Sequence, residues 1–140
     1  VGKGKWKRYL DFASKENREK ITHLEPVDGI EKLYAAADFF ILPSIYEPFG
    51  NANLEALASG LPIVTSRNCG VAEIITPKKE GIILEEPSDS KAMAKAIDYL
   101  MYSKNREPMR QSARLLAEKF TQERNASEML QIYQELIDHQ

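Results

Sequence analysis

Apolar runs that alternate with helical segments restrict this chain to few folds. Phe39-Phe40-Ile41-Leu42 reads as a buried strand entering a loop with two prolines and a glycine; a helix then opens near Asn51, and Pro62 starts the next run, Ile63-Val64-Thr65-Ser66. That second run is β-branched and short, the character of a strand buried in a parallel sheet. Strand, loop, helix, strand is the repeating unit of an α/β fold: a parallel sheet covered on its faces by helices. A further strand is expected at Glu80–Leu84 after the turn Thr76-Pro77-Lys78-Lys79, and a helix after Pro87-Ser88-Asp89, with Ser88 or Asp89 as cap.

The loop and helix between the first two strands collect the residues with chemical potential. Glu47 lies before the helix and Glu55 about one turn inside it, so their eight-residue separation suits two acids holding different parts of one ligand. Between them come the amides of Phe49, Gly50, Asn51 and Ala52, at a helix start where N–H groups lack intrahelical partners and the dipole favours an anion. A sugar phosphate fits that description. Gly50 lets the backbone approach a ligand, and Ala52, Ala56 and Gly60 form a small-residue strip on which another element can pack. The bland reading stands beside this one, because Glu is favoured in a first helical turn by the dipole alone.

These residues resemble a family. Glu47-Pro48-Phe49-Gly50, Glu55-Ala56, Ser59-Gly60-Leu61-Pro62 and Cys69-Gly70-Val71-Ala72-Glu73 are similar to the motifs of retaining, nucleotide-sugar-dependent glycosyltransferases of the GT-B type. The group typified by family 4, with its Glu-x7-Glu motif, is the nearest. The resemblance implies a Rossmann-like three-layer parallel sheet with flanking helices, residues 1–140 forming a single nucleotide-sugar-binding domain that is part of the C-terminal half of a GT-B enzyme. It implies transfer of a hexose from a nucleoside-diphosphate sugar, UDP-sugar first, to a glycan or glycolipid acceptor such as lipopolysaccharide core. Glu47 is then the catalytic residue, its carboxylate holding the donor's hexose hydroxyls, Glu55 takes the ribose hydroxyls, Phe49 to Ala52 take the diphosphate and Val27 meets the base. No cofactor or metal is implied. The family's Lys and Arg pair would lie upstream of Val1, as would the N-terminal domain, so the chain alone is expected to be inactive. Cys69 stands where the family more usually has a second glycine.

Net charge is −2, from 19 basic and 21 acidic residues, without the basic field of a nucleic-acid-binding protein. The lone Cys69 excludes an internal disulfide, and His23 and His139 have no metal-ligand spacing. Cytoplasm is the expected compartment, possession of a bilayer-spanning segment is not indicated, and any peripheral membrane contact is assigned to the upstream half.

Along the rest of the chain, Val1-Gly2-Lys3-Gly4 reads as a strand end and turn, and Lys5 to Glu19 as an amphipathic helix. Lys3 and Lys5 are open between phosphate contact and a solvated helix start, and Arg67 between phosphate contact and plain surface. Ile21–Leu24 reads as a short strand, Ile30–Ala37 as a helix, and Pro108 as the first residue of another helix. Thr121 caps a last helix whose apolar stripe, Met129, Ile132, Tyr133, Leu136 and Ile137, is expected to be partly exposed and to invite self-association.

Two readings compete with the transferase. A glycosidase also uses paired carboxylates but has no need of a phosphate-holding helix start; a non-catalytic nucleotide- or protein-binding module could use the same scaffold. An epimerase or phosphorylase of similar fold is a third, although no lysine is identifiable for a pyridoxal group.

Overall fold

The computed structural model describes residues 1–138; His139 lies outside them. The chain divides into two compact units, Val1–Leu33 and Tyr34–Gln140.

In the second unit, β1 (Phe40–Leu42), β2 (Ile63–Ser66) and β3 (Gly81–Leu84) form a parallel sheet in the order β1-β2-β3. Phe40 pairs with Ile63, and Ile63 with Gly81. All four residues of β2 are buried because the strand has neighbours on both edges and helices over both faces. On one face Val64 packs with Leu84 and with Ala96 and Leu100 of α4 (Ser90–Met101) and Met109 of α5 (Ser103–Ala117). On the other, Thr65 meets Asn53 of α3 (Asn51–Ala58), as the period-two alternation of a strand requires. β1 is only half-buried, against the expectation for 39–42, because it is the sheet's edge. Asp89 caps α4, its Oδ1 accepting from the amides of Lys91 and Ala92 at 2.9 Å each.

Glycine at 81 is a requirement of strand spacing. A Cβ there would stand 2.4 Å from the Ile63 carbonyl oxygen.

α5 begins five residues before Pro108, which therefore sits inside the helix instead of opening it. The lost Pro108 N–H bond is outweighed by bonds that fasten the first turn to the end of α4. Asn105 Nδ2 donates to the Tyr99 carbonyl at 2.8 Å, and Arg106 Nη1 to the carbonyls of Leu100 and Met101 at 3.3 and 2.8 Å. Carbonyls at a helix C-terminus lack intrahelical donors, so a guanidinium there answers both their hydrogen bonding and the dipole. The same Arg106 pairs with Asp38, just before β1, at 2.8 Å. α6 (Gln122–Asp138) is capped by Thr121, whose Oγ1 accepts from the Arg124 amide at 3.2 Å. No described residue of α6 is buried, so its apolar stripe is exposed throughout.

The first unit departs most from the sequence reading. A 3-10 segment, Trp6–Phe12, and a four-residue α1 (Lys15–Arg18) replace one continuous helix. Ala13 is extended between them, and Ser14 restarts the helix by accepting from the Asn17 amide at 3.3 Å. Neither piece buries a residue and Phe12 is 89% exposed, so the packing that would carry a helix through the Ser14 cap is missing. Residues 21–24 form no strand: the Gly2 amide donates to the Leu24 carbonyl at 3.0 Å, one bond where a ladder needs a series. His23 is satisfied locally, Nε2–H donating to the Gly2 carbonyl at 3.0 Å while the ring stacks on Trp6 at 4.6 Å. α2 (Ile30–Ala36) forms where the sequence places it.

Replacing Gly81 by Ala should cost about 1–3 kcal/mol by forcing the β2–β3 ladder apart, a loss to be read from the urea midpoint with the m-value unchanged.

Candidate functional site

The loop after β1 and the loop after β2 close on each other at the carboxyl end of the sheet, where open parallel sheets gather ligands. The Glu47 amide donates to the Asn68 carbonyl at 3.2 Å, the Gly70 amide to the Glu47 carbonyl at 3.0 Å, and the Val71 amide to the Phe49 carbonyl at 2.9 Å. This short parallel bridge between Glu47 and Cys69 needs glycine twice. A Cβ on Gly70 would stand 2.0 Å from the Pro48 carbonyl oxygen. Gly50, at φ +89°, takes the left-handed conformation that opens α3; a Cβ there would meet Cys69 Sγ at 2.7 Å, Asn53 Nδ2 at 2.9 Å and Glu47 Cγ at 3.3 Å.

Beneath the helix start lies a buried polar knot. Cys69 Sγ donates to the Phe49 carbonyl at 3.3 Å, and Asn53 Nδ2 lies 3.5 Å from both Cys69 Sγ and Thr65 Oγ1. Thr65 in turn donates to the Leu42 carbonyl at 3.4 Å, and Ser66 to the Ser44 carbonyl. Asn53 Oδ1 is buried without a partner among the described residues. Cys69 is a small buried residue, 1% exposed, whose thiol fixes the peptide just before α3.

The amides of Phe49, Gly50, Asn51 and Ala52 donate no hydrogen bond among the described residues; the Gly50 carbonyl is taken by the amides of Asn53 and Leu54. A helix start so left open can hold an oxyanion. Glu47 is half-buried, its side chain lies over Gly50, and its carboxylate has no hydrogen-bond or ion-pair partner among the described residues. Glu55 accepts from the Tyr34 hydroxyl at 3.1 Å. Tyr34 is pushed up to about 12 from its ordinary 10.0, first by burial and then by the bond to Glu55 and that carboxylate's charge.

Phe49, Asn51 and Glu55 line one cleft of about 770 Å³, which continues to Lys119 and Arg124 at the corner between α5 and α6. Glu47, Gly50 and Ala52 adjoin the same helix start without lining that cleft. Val27 belongs to the first unit and is 41% exposed. Arg67 is engaged in an ion pair with Glu85. No group of three or more His, Cys, Asp or Glu among the described residues could hold a metal. Sequence reasoning missed Tyr34 and Asn53. Asn53, three and four residues before the buried Ala56 and Leu57, lies on the inward face of α3, and that spacing was the available signal.

The family model described as glycosyl transferases group 1 matches residues 1–116. An uncharacterized glycosyltransferase of Methanocaldococcus jannaschii is 36% identical over 105 residues, 72% of this chain and 27% of that protein. Among solved structures, sucrose-phosphate synthase from Thermosynechococcus elongatus superposes with a TM-score of 0.83 at 27% identity, covering 96% of this chain and 35% of that one. WaaG, a glycosyltransferase involved in lipopolysaccharide biosynthesis, follows with a TM-score of 0.75 at 28% identity, covering 84% and 32%. The chain thus spans about a third or less of the length of these relatives. Its α/β architecture, a parallel sheet with flanking helices, is that of GT-B glycosyltransferases.

A tyrosinate titration followed by absorbance should contain a step near pH 12 that disappears in Tyr34→Phe. With the folded pKa above the unfolded value, this group's stabilisation is complete below about pH 10 and is lost as pH rises from 10 through 12. Urea midpoints of wild type and Tyr34→Phe across that window should therefore converge with rising pH.

Proposed function

The chain belongs to the glycosyl transferases group 1 family, and on that premise we propose that it is the donor-binding domain of a retaining, family 4 type hexosyltransferase. The donor is a nucleoside-diphosphate sugar, UDP-sugar first. Its diphosphate lies against the amides of Phe49 to Ala52, Glu55 takes the ribose hydroxyls and Glu47 the hexose hydroxyls. The observation that carries this reading is the open helix start between two carboxylates, one unpaired and the other held by Tyr34.

The chemistry follows from those groups. As the bond between the anomeric carbon and the diphosphate oxygen breaks, negative charge grows on the leaving phosphate. Amide donors already aimed at it by the Gly50 and Gly70 contacts stabilise that charge without reorganising. A carboxylate accepts two hydroxyl donors at once, which fixes a sugar's vicinal hydroxyls. The acceptor, a glycan or glycolipid, binds to the N-terminal domain that the resemblance places upstream; the likeness to WaaG supports a lipopolysaccharide-core substrate. On this reading the enzyme is cytoplasmic, works at the inner face of the membrane, and needs its other half for turnover.

Saturation-transfer NMR on this chain tests the assignment. UDP and UDP-glucose should contact wild type, and Glu55→Ala should weaken the contact by about tenfold or more, the value of a charge-assisted hydrogen bond. Absence of contact at millimolar ligand would favour the non-catalytic module, and hydrolysis of an aryl glycoside without nucleotide would favour a glycosidase.

A further inference from the structure

Four of the chain's 19 basic residues, Lys3, Lys5, Lys7 and Arg8, fall within six positions of an otherwise acidic sequence. Three of them, Lys3, Lys5 and Arg8, line one hollow of about 320 Å³ together with Gly4, Trp6 and Tyr9. Lys7 does not. No acidic side chain lines the hollow; in the segment that follows, Asp11 pairs with Arg18 at 3.8 Å and Glu16 with Lys20 at 2.7 Å, while Glu19 has no ion-pair partner among the described residues. Lys3, Lys5 and Arg8 form no ion pair among the described residues. Arg8 is held in place, its guanidinium 4.8 Å above the Tyr9 ring and its Nη2 donating to the Tyr9 hydroxyl at 2.8 Å. Trp6 is fixed by its stack on His23. Gly2 and Gly4, at φ +149° and +145°, have no heavy atom within 4 Å of a Cβ position, so the turn carrying the lysines stays open to a ligand.

Unpaired like charges around one concavity repel each other, and an anion relieves that repulsion while gaining a point charge from each lysine and a planar fork from the arginine. We propose that this hollow is a binding site for a phosphate ester, with the phosphate against Lys3, Lys5 and Arg8 and the remainder of the ligand against the Trp6 and Tyr9 rings. The site lies wholly in residues 3–9 and is independent of the donor site proposed above. A soluble sugar phosphate and an anionic phospholipid headgroup carry the same chemistry.

Trp6 is the chain's single tryptophan, so its fluorescence reports on this hollow alone. At low ionic strength, titration of the whole chain with glucose 1-phosphate or pyrophosphate should give a saturable change. Lys3→Gln, Lys5→Gln and Arg8→Gln should each weaken it about two- to fivefold, the range of a solvent-exposed charge contact, with far-UV circular dichroism unchanged. Lys7→Gln removes the same charge outside the hollow and should leave the midpoint within error of wild type. A parallel titration uses phosphatidylglycerol and phosphatidylcholine vesicles. A response to the soluble esters identifies a free phosphate ligand; a response to phosphatidylglycerol vesicles alone, lost in the same three variants, identifies a headgroup. Silence toward both, or an equal loss in Lys7→Gln, overturns the site and leaves only a diffuse basic field.

Discussion

The contact on which the rest depends is the closure of residues 68–70 onto residues 47–50. It brings together two loops that leave different strands, and it is possible because two side chains are missing. With a Cβ 2.0 Å from the Pro48 oxygen at one glycine and 2.7 Å from Cys69 Sγ at the other, neither loop could approach as it does. The bridge sets the direction of the Phe49 peptide, and Gly50 in its left-handed conformation then turns the chain into α3. Open amides at the start of α3 are thus a consequence of backbone packing beneath them, which the Asn53, Thr65 and Cys69 side chains complete. The Asn53 oxygen is buried without a partner among the described residues, and leaving such an atom unpaired costs about 1–3 kcal/mol.

The far end of the same helix is held by different means. Leu57 and Ala56 are fully buried, Gly60 turns the chain at a φ of +75° where an added Cβ would meet the Arg110 carbonyl at an ordinary van der Waals distance, and Arg114 donates to the carbonyl of Ala58. A cation on α5 therefore answers the C-terminal carbonyls of α3, as Arg106 answers those of α4. Both ends of α3 are fixed, one by glycine-permitted loop contact and the other by packing on α5, so Glu55 in its middle keeps a defined place. Tyr34 adds the last constraint by taking one carboxylate oxygen.

How much of this was legible in the sequence follows from the range of the forces involved. The β2 and β3 strands, the α3 start near Asn51 and the Thr121 cap are set by local pattern and stand where the sequence puts them, and of the two caps it offers before α4, Ser88 and Asp89, the structure uses Asp89. Pro108 misled because its own preference for a helix start was overridden by Arg106 and Asn105, whose bonds reach back to α4. Residues 5–24 misled for the opposite reason: their periodicity promises a helix and a strand, but nothing in their own unit covers Tyr9 or Phe12 or extends the one bond between Gly2 and Leu24 into a ladder. In the site, Glu47, Gly50 and Glu55 were visible as a spacing, whereas Tyr34 and Asn53 act through contacts 21 and 12 residues away along the chain.

Carboxylates beside an anion's place pose an electrostatic problem that the geometry bounds. Glu55 is four residues into α3 from Asn51, about 6 Å along the axis at 1.5 Å per residue. At that range a unit charge on a phosphate and the Glu55 carboxylate repel by about 3 kcal/mol with an effective dielectric constant of 20. A helix start contributes about 0.3–1 kcal/mol for an exposed anion and up to about 2 when partly buried, so the dipole alone does not offset the acids. The loop itself supplies no cation, since Arg67 is committed to Glu85. On the donor-site reading a cation would come from another element, and Lys119 lines the cleft wall and forms no ion pair among the described residues. On the donor-site reading proposed above, an anion at α3 would draw on two sources, amides that orient it and a cation across the cleft, leaving the acids to accept from hydroxyls.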